Sequence, residues 1–358
     1  ILAYFSWKFI EQPFRDITRT KKVSPNVIFI SSGAILISFV CFGFYGHIKN
    51  GFPSRFPEKA LRLQSYKNDF SPNREDCHFK GNQLPQHPEK ECLDFTVNNK
   101  IDVGFIGDSH SAELSYVTQK KLKSIGVGSY AISFSGCTGL PGFVNNGNET
   151  CSKKSESYIN YLKSNDVKTV VLSFRSVLSY VGKRFKNSKG AKEAGKKICI
   201  DTIAPNRGYA CSIKSQKRKK RVLQEYKEQI IKLSKLFNVI LVYPIPEAGW
   251  NVPDTATKKL VFSRTEPRDI NLSTSYDLFL KRSSNVLRLF NSLKGPNLYK
   301  VKPHQVLCNT YIQDRCINSY NDKSFYYDDD HLSLSGAKLI RPKIIKLLRR
   351  TLPQFQES

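Results

Sequence analysis

Two short stretches of the sequence carry residues suited to nucleophilic catalysis. The first is Gly107-Asp108-Ser109-His110, and in the second Asp328 lies three residues before His331. A serine at a helix start lies beside unpaired backbone N–H groups and a partial positive charge, which stabilise an oxyanion. A nearby carboxylate can orient the imidazole that accepts the serine proton. Together the stretches predict a Ser109–His331–Asp328 triad; the alternative is that Asp108 or Ser109 only caps a helix.

Neighbours of these residues are expected to have other roles. His110 adjoins the serine, but adjacent side chains diverge at a strand-to-helix turn, so we do not expect it to be the base. Asp329 and Asp330 are expected to be solvated turn residues. The aromatic residues at 325–327 are expected in the core, with the lining of a sugar site as the alternative.

The elements that must position these residues follow from the hydrophobic pattern after Ile101. Apolar runs indicate strands near residues 102–106, 127–133, 167–174, 239–244 and 300–307. Amphipathic segments indicate helices near residues 112–122, 156–163, 221–236, 276–293 and 335–351. This alternation predicts an α/β fold with a parallel sheet covered by helices on both faces. Ligands bind at the carboxyl ends of such strands, where Ser109 is expected to lie.

An uncharged segment near the N-terminus predicts a transmembrane helix. Its apolar centre, Val27 to Tyr45, would span about 28 Å as a helix, close to the ~30 Å hydrocarbon core. Four basic residues precede the segment and place its N-terminal side in the cytoplasm: Arg15, Arg19, Lys21 and Lys22. Everything after His47 is then outside. A cleaved signal peptide and a buried soluble helix are the alternatives.

Composition divides the chain into four regions: residues 1–23, the span at 24–46, an extension at 47–100 and a regular domain at 101–358. The extension is expected to be a linker stapled by cysteines. The sequence contains no methionine, which predicts a piece of a longer protein.

The formal net charge of +27 favours anionic partners such as lipid headgroups or acidic glycans. A basic surface insertion is predicted at about residues 181–220, where Glu193 and Asp201 are the acidic residues. No nucleic-acid-binding motif accompanies it, so nucleic acid is not an expected partner.

Eight of the nine cysteines form four pairs of near neighbours in the sequence. None has the CxxC spacing of a metal site, so no metal is predicted. An even number beyond a membrane span indicates disulfides in an oxidising compartment. Proximity favours sequential pairing with Cys41 left free, although other connectivities remain open. The neighbours are Cys77 with Cys92, Cys137 with Cys151, Cys199 with Cys211, and Cys308 with Cys316.

The catalytic stretches resemble those of SGNH hydrolases, whose first block is Gly-Asp-Ser and whose last is Asp-x-x-His. The resemblance implies a flavodoxin-like, three-layer α/β fold. It also implies an oxyanion hole built from the backbone N–H groups of Ser109 and Gly136, the latter in "SFSGCTG". The third block, Gly-x-Asn-Asp, is missing, because "KTVVLSF" is followed by "RSVLSY". Arg175 is the nearest candidate for the missing side-chain donor.

The stretch "WKFIEQPFR", Trp7 to Arg15, resembles the end of the last common helix of membrane acyltransferase-3 proteins. In one branch of that family, an extra transmembrane helix leads to a periplasmic SGNH domain. The resemblance implies an O-acetyltransferase of bacterial surface polysaccharide, notably lipopolysaccharide O-antigen or its lipid-linked precursor.

The same resemblance implies the partners and the location. An upstream acyltransferase-3 domain of the same chain would supply acetyl from acetyl-coenzyme A, with no cofactor held in this part. The SGNH domain would lie in the periplasm, tethered to the inner membrane and near its anionic surface. A carbohydrate acetylesterase with the same triad remains open, as does a non-catalytic glycan-binding module, since the third block is missing.

Overall fold

The computed structural model describes residues 1–12, 24–81, 84–146, 148–202, 211–262 and 271–352. The chain divides into two compact units, Ile1–Glu58 and Lys59–Ser358. The predicted cytoplasmic turn with its four basic residues lies outside the described residues, as do residues 203–210 of the predicted insertion.

In the described part of the first unit, one long apolar helix is present, α1 (Pro25–Ile48). It has proline at its first position, where the missing N–H costs no hydrogen bond. The helix has 24 residues, a mean hydropathy of 2.4 in its most apolar window and no buried residue in that window. Its length and composition are sufficient to cross a membrane. The unit also contains the short helical segments Leu2–Ser6, Trp7–Glu11 and Pro53–Arg55.

A six-stranded sheet forms the centre of the second unit. The strands are β1 (His78–Phe79), β2 (Val103–Gly107), β3 (Ser129–Phe134), β4 (Thr169–Ser173), β5 (Asn238–Val242) and β6 (Leu298–Val301). Their order is β1-β3-β2-β4-β5-β6, and every neighbouring pair is parallel. The predicted α/β fold with a parallel sheet is confirmed.

Two parts of the sequence-based interpretation of the sheet are wrong. Part of the extension at 47–100 is not a linker, because it supplies the edge strand β1. The strand predicted at 300–307 ends at Val301, and a helical turn, His304–Leu307, follows Pro303. The two errors have different origins. Strand β1 has two residues, too few for a period to appear, and the apolar run at 300–307 does not distinguish a strand from a buried helical turn.

Helices cover both faces of the sheet. They are α2 (Glu58–Ser65), α3 (Ser109–Lys123), α4 (Thr150–Ser164), α5 (Ser176–Val181), α6 (Gln216–Leu236), α7 (Val252–Phe262), α8 (Tyr276–Ser292) and α9 (Leu334–Thr351). Helices α3 and α9 contact each other, whereas α4, α6 and α8 share another apolar cluster with the sheet. The first turns of α3, α4 and α6 are polar, so the hydrophobic pattern missed those turns. It also missed the whole of α2, α5 and α7.

Shorter elements hold the loops around the sheet. Helical turns lie at Tyr66–Asn68, Arg74–Cys77 and Lys90–Cys92. Three antiparallel pairs join Phe143–Asn145 to Ile200–Thr202, Ser273–Ser275 to Arg315–Ile317, and Ser319–Tyr320 to Lys323–Ser324. The first of these pairs attaches the basic insertion to the domain.

The structure joins the eight cysteines as sequential disulfides and leaves Cys41 free and exposed. The bond between Cys77 and Cys92 ties the turn before β1 to the rest of the extension. The bond between Cys199 and Cys211 closes the insertion.

Gly107, the last residue of β2, is required by the close approach of two strand ends. A Cβ atom there would lie 1.7 Å from the carbonyl oxygen of Ser173 at the end of β4. Backbone cannot yield as a flexible side chain does, so only glycine fits between the two strands.

We therefore expect Gly107→Ala to lower the free energy of unfolding by about 1–3 kcal/mol or more, the usual cost of overpacking. Urea titration followed by circular dichroism measures the change. Gly295→Ala is the matched control, because its Cβ would have only one neighbour, Leu298 Cβ at 3.8 Å. Equal stability of the two variants would contradict the steric argument.

Candidate active site

The nucleophile lies at the junction between strand β2 and helix α3. Asp108 is the N-cap of α3, and its side chain accepts a hydrogen bond from the His110 backbone N–H at 2.9 Å. The other carboxylate oxygen accepts from the Arg175 backbone N–H at 2.8 Å. The helix cap predicted as an alternative is therefore present, and it is formed by Asp108. It leaves the hydroxyl of Ser109 free for a different partner.

That partner is His331. Its Nε2 lies 2.7 Å from Ser109 Oγ, and its Nδ1 lies 2.7 Å from an oxygen of Asp328. The second oxygen of Asp328 accepts from the His331 backbone N–H at 2.8 Å. Because a carboxylate only accepts hydrogen bonds, it fixes the proton of a neutral imidazole on Nδ1. Nε2 is then the acceptor for the serine proton, so the structure brings the three predicted catalytic residues together.

A second carboxylate also faces the base. Asp330 lies 3.5 Å from Nδ1 of His331 and is only 3% exposed. Burial lowers the pKa of His331, but the charges of Asp330 and Asp328 outweigh burial and raise that pKa to about 9. The imidazolium that forms during catalysis is thereby stabilised.

The turn aspartates next to Asp328 are not solvated as predicted. Asp330 accepts from the His110 ring at 2.8 Å and pairs with Arg175 at 2.9 Å. Asp329 is partly buried and accepts from the Ala194 backbone N–H at 2.7 Å, and burial raises its pKa to about 7. The prediction failed because a run of aspartates gives no sign of a buried arginine opposite it. His110 is held away from the serine by this contact.

Arg175 does not act as the side-chain oxyanion donor that the sequence suggested. Its Nε donates to Glu247 at 3.0 Å, and its Nη1 donates to Glu193 at 2.7 Å and faces Asp330. Its Nη2 also donates to Glu193 and Glu247. The side chain is 8% exposed, and all three nitrogens are engaged by carboxylates. Its role is to join three loops around the triad.

Sequence reasoning also missed the residues behind His331. The Tyr327 ring stacks on the His331 ring, with centroids 5.4 Å apart and planes 10° apart. The guanidinium of Arg74 lies over the Tyr327 ring and pairs with the buried carboxylate of Glu113. Phe325 and Tyr326 lie in the core as expected, whereas Tyr327 packs against the base. Arg74 comes from the extension, which therefore contributes to the active site.

A cavity of 170 Å³ opens beside the nucleophile. Its lining includes Ser109, Gly136, His331 and two residues of the insertion, Arg184 and Ile198. In the described part of the chain, the backbone N–H groups of Ser109 and Gly136 donate to no other group. They are available for an oxyanion in this cavity.

Among the residues that the structure describes, two groups of side chains have potential metal-ligand atoms within 4.8 Å of one another: His110, Asp330 and His331, and Glu193, Asp329 and Asp330. Both include Asp330, and its Oδ2 already contacts the His110 ring nitrogen and the Arg175 guanidinium. The charge that a cation would supply there is supplied by Arg175, so these groups fit an ion-pair network better than a metal site.

The raised pKa of His331 predicts an alkaline pH dependence. Only the neutral imidazole can accept the serine proton, so the acylation rate of Ser109 should rise with pH up to about 9. Asp330→Asn removes the carboxylate that contributes most to this increase, so the midpoint should move to lower pH. The burst of p-nitrophenolate from p-nitrophenyl acetate measures the rate. Asp322→Asn, which breaks an outer ion pair with Arg62, should leave the midpoint in place. An unchanged midpoint in Asp330→Asn would refute the electrostatic account.

Removing the arginine that joins the loops should be costly. Arg175→Ala leaves three buried carboxylates without their shared cation, and breaking a buried ion pair typically costs about 3–5 kcal/mol of unfolding free energy. Urea titration measures the loss. Lys281→Ala breaks an exposed pair with Asp277 and should change stability little. Similar stabilities for the two variants would show that Arg175 does not hold the site together.

Comparisons with known proteins place this geometry in a family. The family described as "SGNH domain (fused to AT3 domains)" matches residues 66–346. No curated protein gives a significant match to the sequence. Among solved structures, the periplasmic domain of a lipopolysaccharide acetyltransferase from Salmonella serovar Paratyphi A is similar in fold. It is 16% identical, the match covers 81% of this chain and 96% of that one, and the TM-score is 0.51.

An acetyl xylan esterase from the rumen bacterium Butyrivibrio proteoclasticus is 13% identical over 70% of this chain and 63% of that one, with a TM-score of 0.30. The family match covers most of the chain and includes both catalytic stretches, so the resemblance stated from the motifs is confirmed. The chain belongs to the family of SGNH domains fused to AT3 domains.

Proposed function

We propose that this chain is an O-acetyltransferase that carries an acetyl group on Ser109 and passes it to a sugar hydroxyl of a bacterial surface polysaccharide. The observation that carries the proposal is the hydrogen-bonded chain from Ser109 through His331 to Asp328. Membership of a family in which SGNH domains are fused to AT3 domains supports acyl transfer as the reaction class.

In the first half-reaction, His331 Nε2 takes the proton of Ser109 Oγ while the oxygen attacks the acyl carbon. The carbonyl electrons move to oxygen, and the N–H groups of Ser109 and Gly136 stabilise the charge. When the carbonyl reforms, the bond to the leaving group breaks and His331 returns the proton to it. In the second half-reaction a sugar hydroxyl repeats these steps and releases Ser109.

The donor and acceptor follow from the family context. An AT3 partner domain would deliver acetyl from acetyl-coenzyme A, and the apolar helix α1 would keep the SGNH domain at that membrane. The lipopolysaccharide acetyltransferase among the similar structures favours a lipopolysaccharide glycan or its lipid-linked precursor as acceptor. On this proposal the domain lies in the periplasm beside the inner membrane.

The basic insertion would add to this tether. Its exposed lysines would attract anionic headgroups within a Debye length of about 8 Å at physiological salt. Nucleic acid is not part of the proposal.

The protein with its upstream AT3 domain, supplied with acetyl-coenzyme A and polysaccharide, should acetylate the glycan. Ser109→Ala removes the nucleophile and His331→Ala removes the base that transfers the proton, so either substitution should abolish acetylation of the glycan. Mass spectrometry of the glycan measures the product. Ser124→Ala, at the far end of helix α3, is the control for the serine substitution.

The chain of 358 residues alone should hydrolyse acetyl esters only weakly, because its donor arrives through the partner domain. The alternative outcome is that the chain alone removes acetyl groups from polysaccharide at about 1–10³ per second, a common turnover rate for enzymes. If the longer protein also transfers no acetyl group to the polysaccharide, the function is that of an acetylesterase. Full activity in Ser109→Ala would refute both catalytic functions.

A further inference from the structure

The family's third block normally supplies a side-chain donor to the oxyanion, and neither that asparagine nor Arg175 can do so here. We propose that Arg184, a residue of the basic insertion, donates this hydrogen bond. The inference rests on the acyl-serine chemistry of the proposed function and names a further catalytic residue for it.

Arg184 lines the same cavity as Ser109, Gly136 and His331. Two of its nitrogens are anchored: Nε donates to the Lys196 carbonyl at 2.9 Å, and Nη1 donates to Glu193 at 2.5 Å. Its Nη2 donates to no group in the described ranges of the chain. A planar guanidinium held at two corners is fixed before substrate arrives, and its unused edge remains for a ligand.

The anchor of Arg184 belongs to the network around the triad. Glu193 has a fully buried side chain and binds Arg175 and Arg184 together. Arg175 in turn contacts Asp330, which faces His331. The proposed donor and the catalytic base are therefore held by one set of ion pairs. An oxyanion donor must be fixed in this way, because its benefit depends on not having to reorganise during the reaction.

Gly195 permits the position of Arg184. Its φ is +99°, and a Cβ there would lie 3.0 Å from Nη2 and 3.2 Å from the central guanidinium carbon. Glycine leaves room for the guanidinium to lie against this stretch of backbone, and an added Cβ would push the guanidinium away by a few tenths of an ångström. The glycine thus provides a way to displace the guanidinium without deleting it.

Other donors in the cavity fit the role less well. Ser179 offers a buried, neutral hydroxyl. Ser135 offers an exposed, neutral hydroxyl. A hydrogen bond from a charged donor to an anionic oxygen is roughly twice as strong as one between neutral groups. As the acyl carbonyl becomes an oxyanion, a hydrogen bond from the charged Arg184 therefore stabilises it more than a hydrogen bond from a serine hydroxyl would. The bond is made as Ser109 attacks and released when the carbonyl reforms.

The test measures acylation of Ser109 in the whole chain purified in detergent, with p-nitrophenyl acetate as the probe. Arg184→Ala should lower kcat by about 10²–10³, the usual cost of one oxyanion donor, with KM little changed. Lys186→Ala removes the same charge from an exposed position two residues away and should keep the wild-type rate. Thermal melting should show that both variants are folded.

Guanidinium chloride at low, non-denaturing concentration should restore part of the rate to Arg184→Ala, while sodium chloride at equal ionic strength should not. A structural role for Arg184 would not give such rescue. A rate restored equally by both salts, or by neither, would overturn the assignment.

The paired variants Gly195→Ala and Gly190→Ala give an independent test. Both glycines have positive φ in the same insertion, but a Cβ at Gly190 meets nothing within 4 Å. Backbone strain is thus similar, and only Gly195→Ala displaces the guanidinium. We expect Gly195→Ala to reproduce much of the loss in kcat and Gly190→Ala to retain activity. Equal activity in the two would contradict the inference.

The outcomes separate this inference from the proposed function. If Ser109→Ala is inactive but Arg184→Ala keeps the wild-type kcat, the acyl-serine chemistry stands and the donor assignment fails. A loss in Ser135→Ala alone would assign the donor to that hydroxyl instead. If Ser109→Ala itself remains active, the proposed function fails first.

Discussion

The active site depends on one buried guanidinium. Arg175 meets carboxylates from three separate segments: Glu193 of the insertion, Glu247 after strand β5 and Asp330 of the histidine loop. Burying these charges is costly, and the cost is offset only while every partner is present. The Arg175 backbone N–H also holds Asp108 at the nucleophile turn. The loops at the carboxyl edge of the sheet are thus joined to one another by buried ion pairs and hydrogen bonds.

This arrangement explains why His331 is held from two sides. On one side Asp328 accepts from Nδ1, and Asp330 adds a second negative charge whose position Arg175 and His110 determine. On the other side the Tyr327 ring stacks on the imidazole, supported by Arg74. Rotation of the imidazole would break contacts on both sides. The base is therefore oriented by residues of the extension, helix α3 and the loop that carries Asp328 and Asp330.

Features that depend on local sequence patterns could be predicted from the sequence. Strands β2 to β5 have continuous apolar residues, and the Gly-Asp-Ser and Asp-x-x-His stretches carry their own spacing, so those elements and the three triad positions could be predicted. The buried state of Asp330 and Glu193 could not, because it depends on Arg175, which is distant in sequence from Asp330. The edge strand His78–Phe79 is too short to show a period. One signal was available: Glu193 is acidic within a strongly basic segment.

That signal has a physical meaning for the insertion as a whole. Glu193 and Asp201, its acidic residues, are 2% and 1% exposed, while basic residues such as Lys186 and Lys192 are exposed. Asp201 pairs with Arg221 as Glu193 pairs with Arg184, so each carboxylate fixes an arginine close to the domain. The negative charges order the insertion from within, while lysines such as Lys186 and Lys192 are exposed to solvent. The composition of the insertion is that of a solvated loop, but its two acidic residues, Glu193 and Asp201, tie it to the domain. The insertion therefore forms a wall of the cavity beside Ser109.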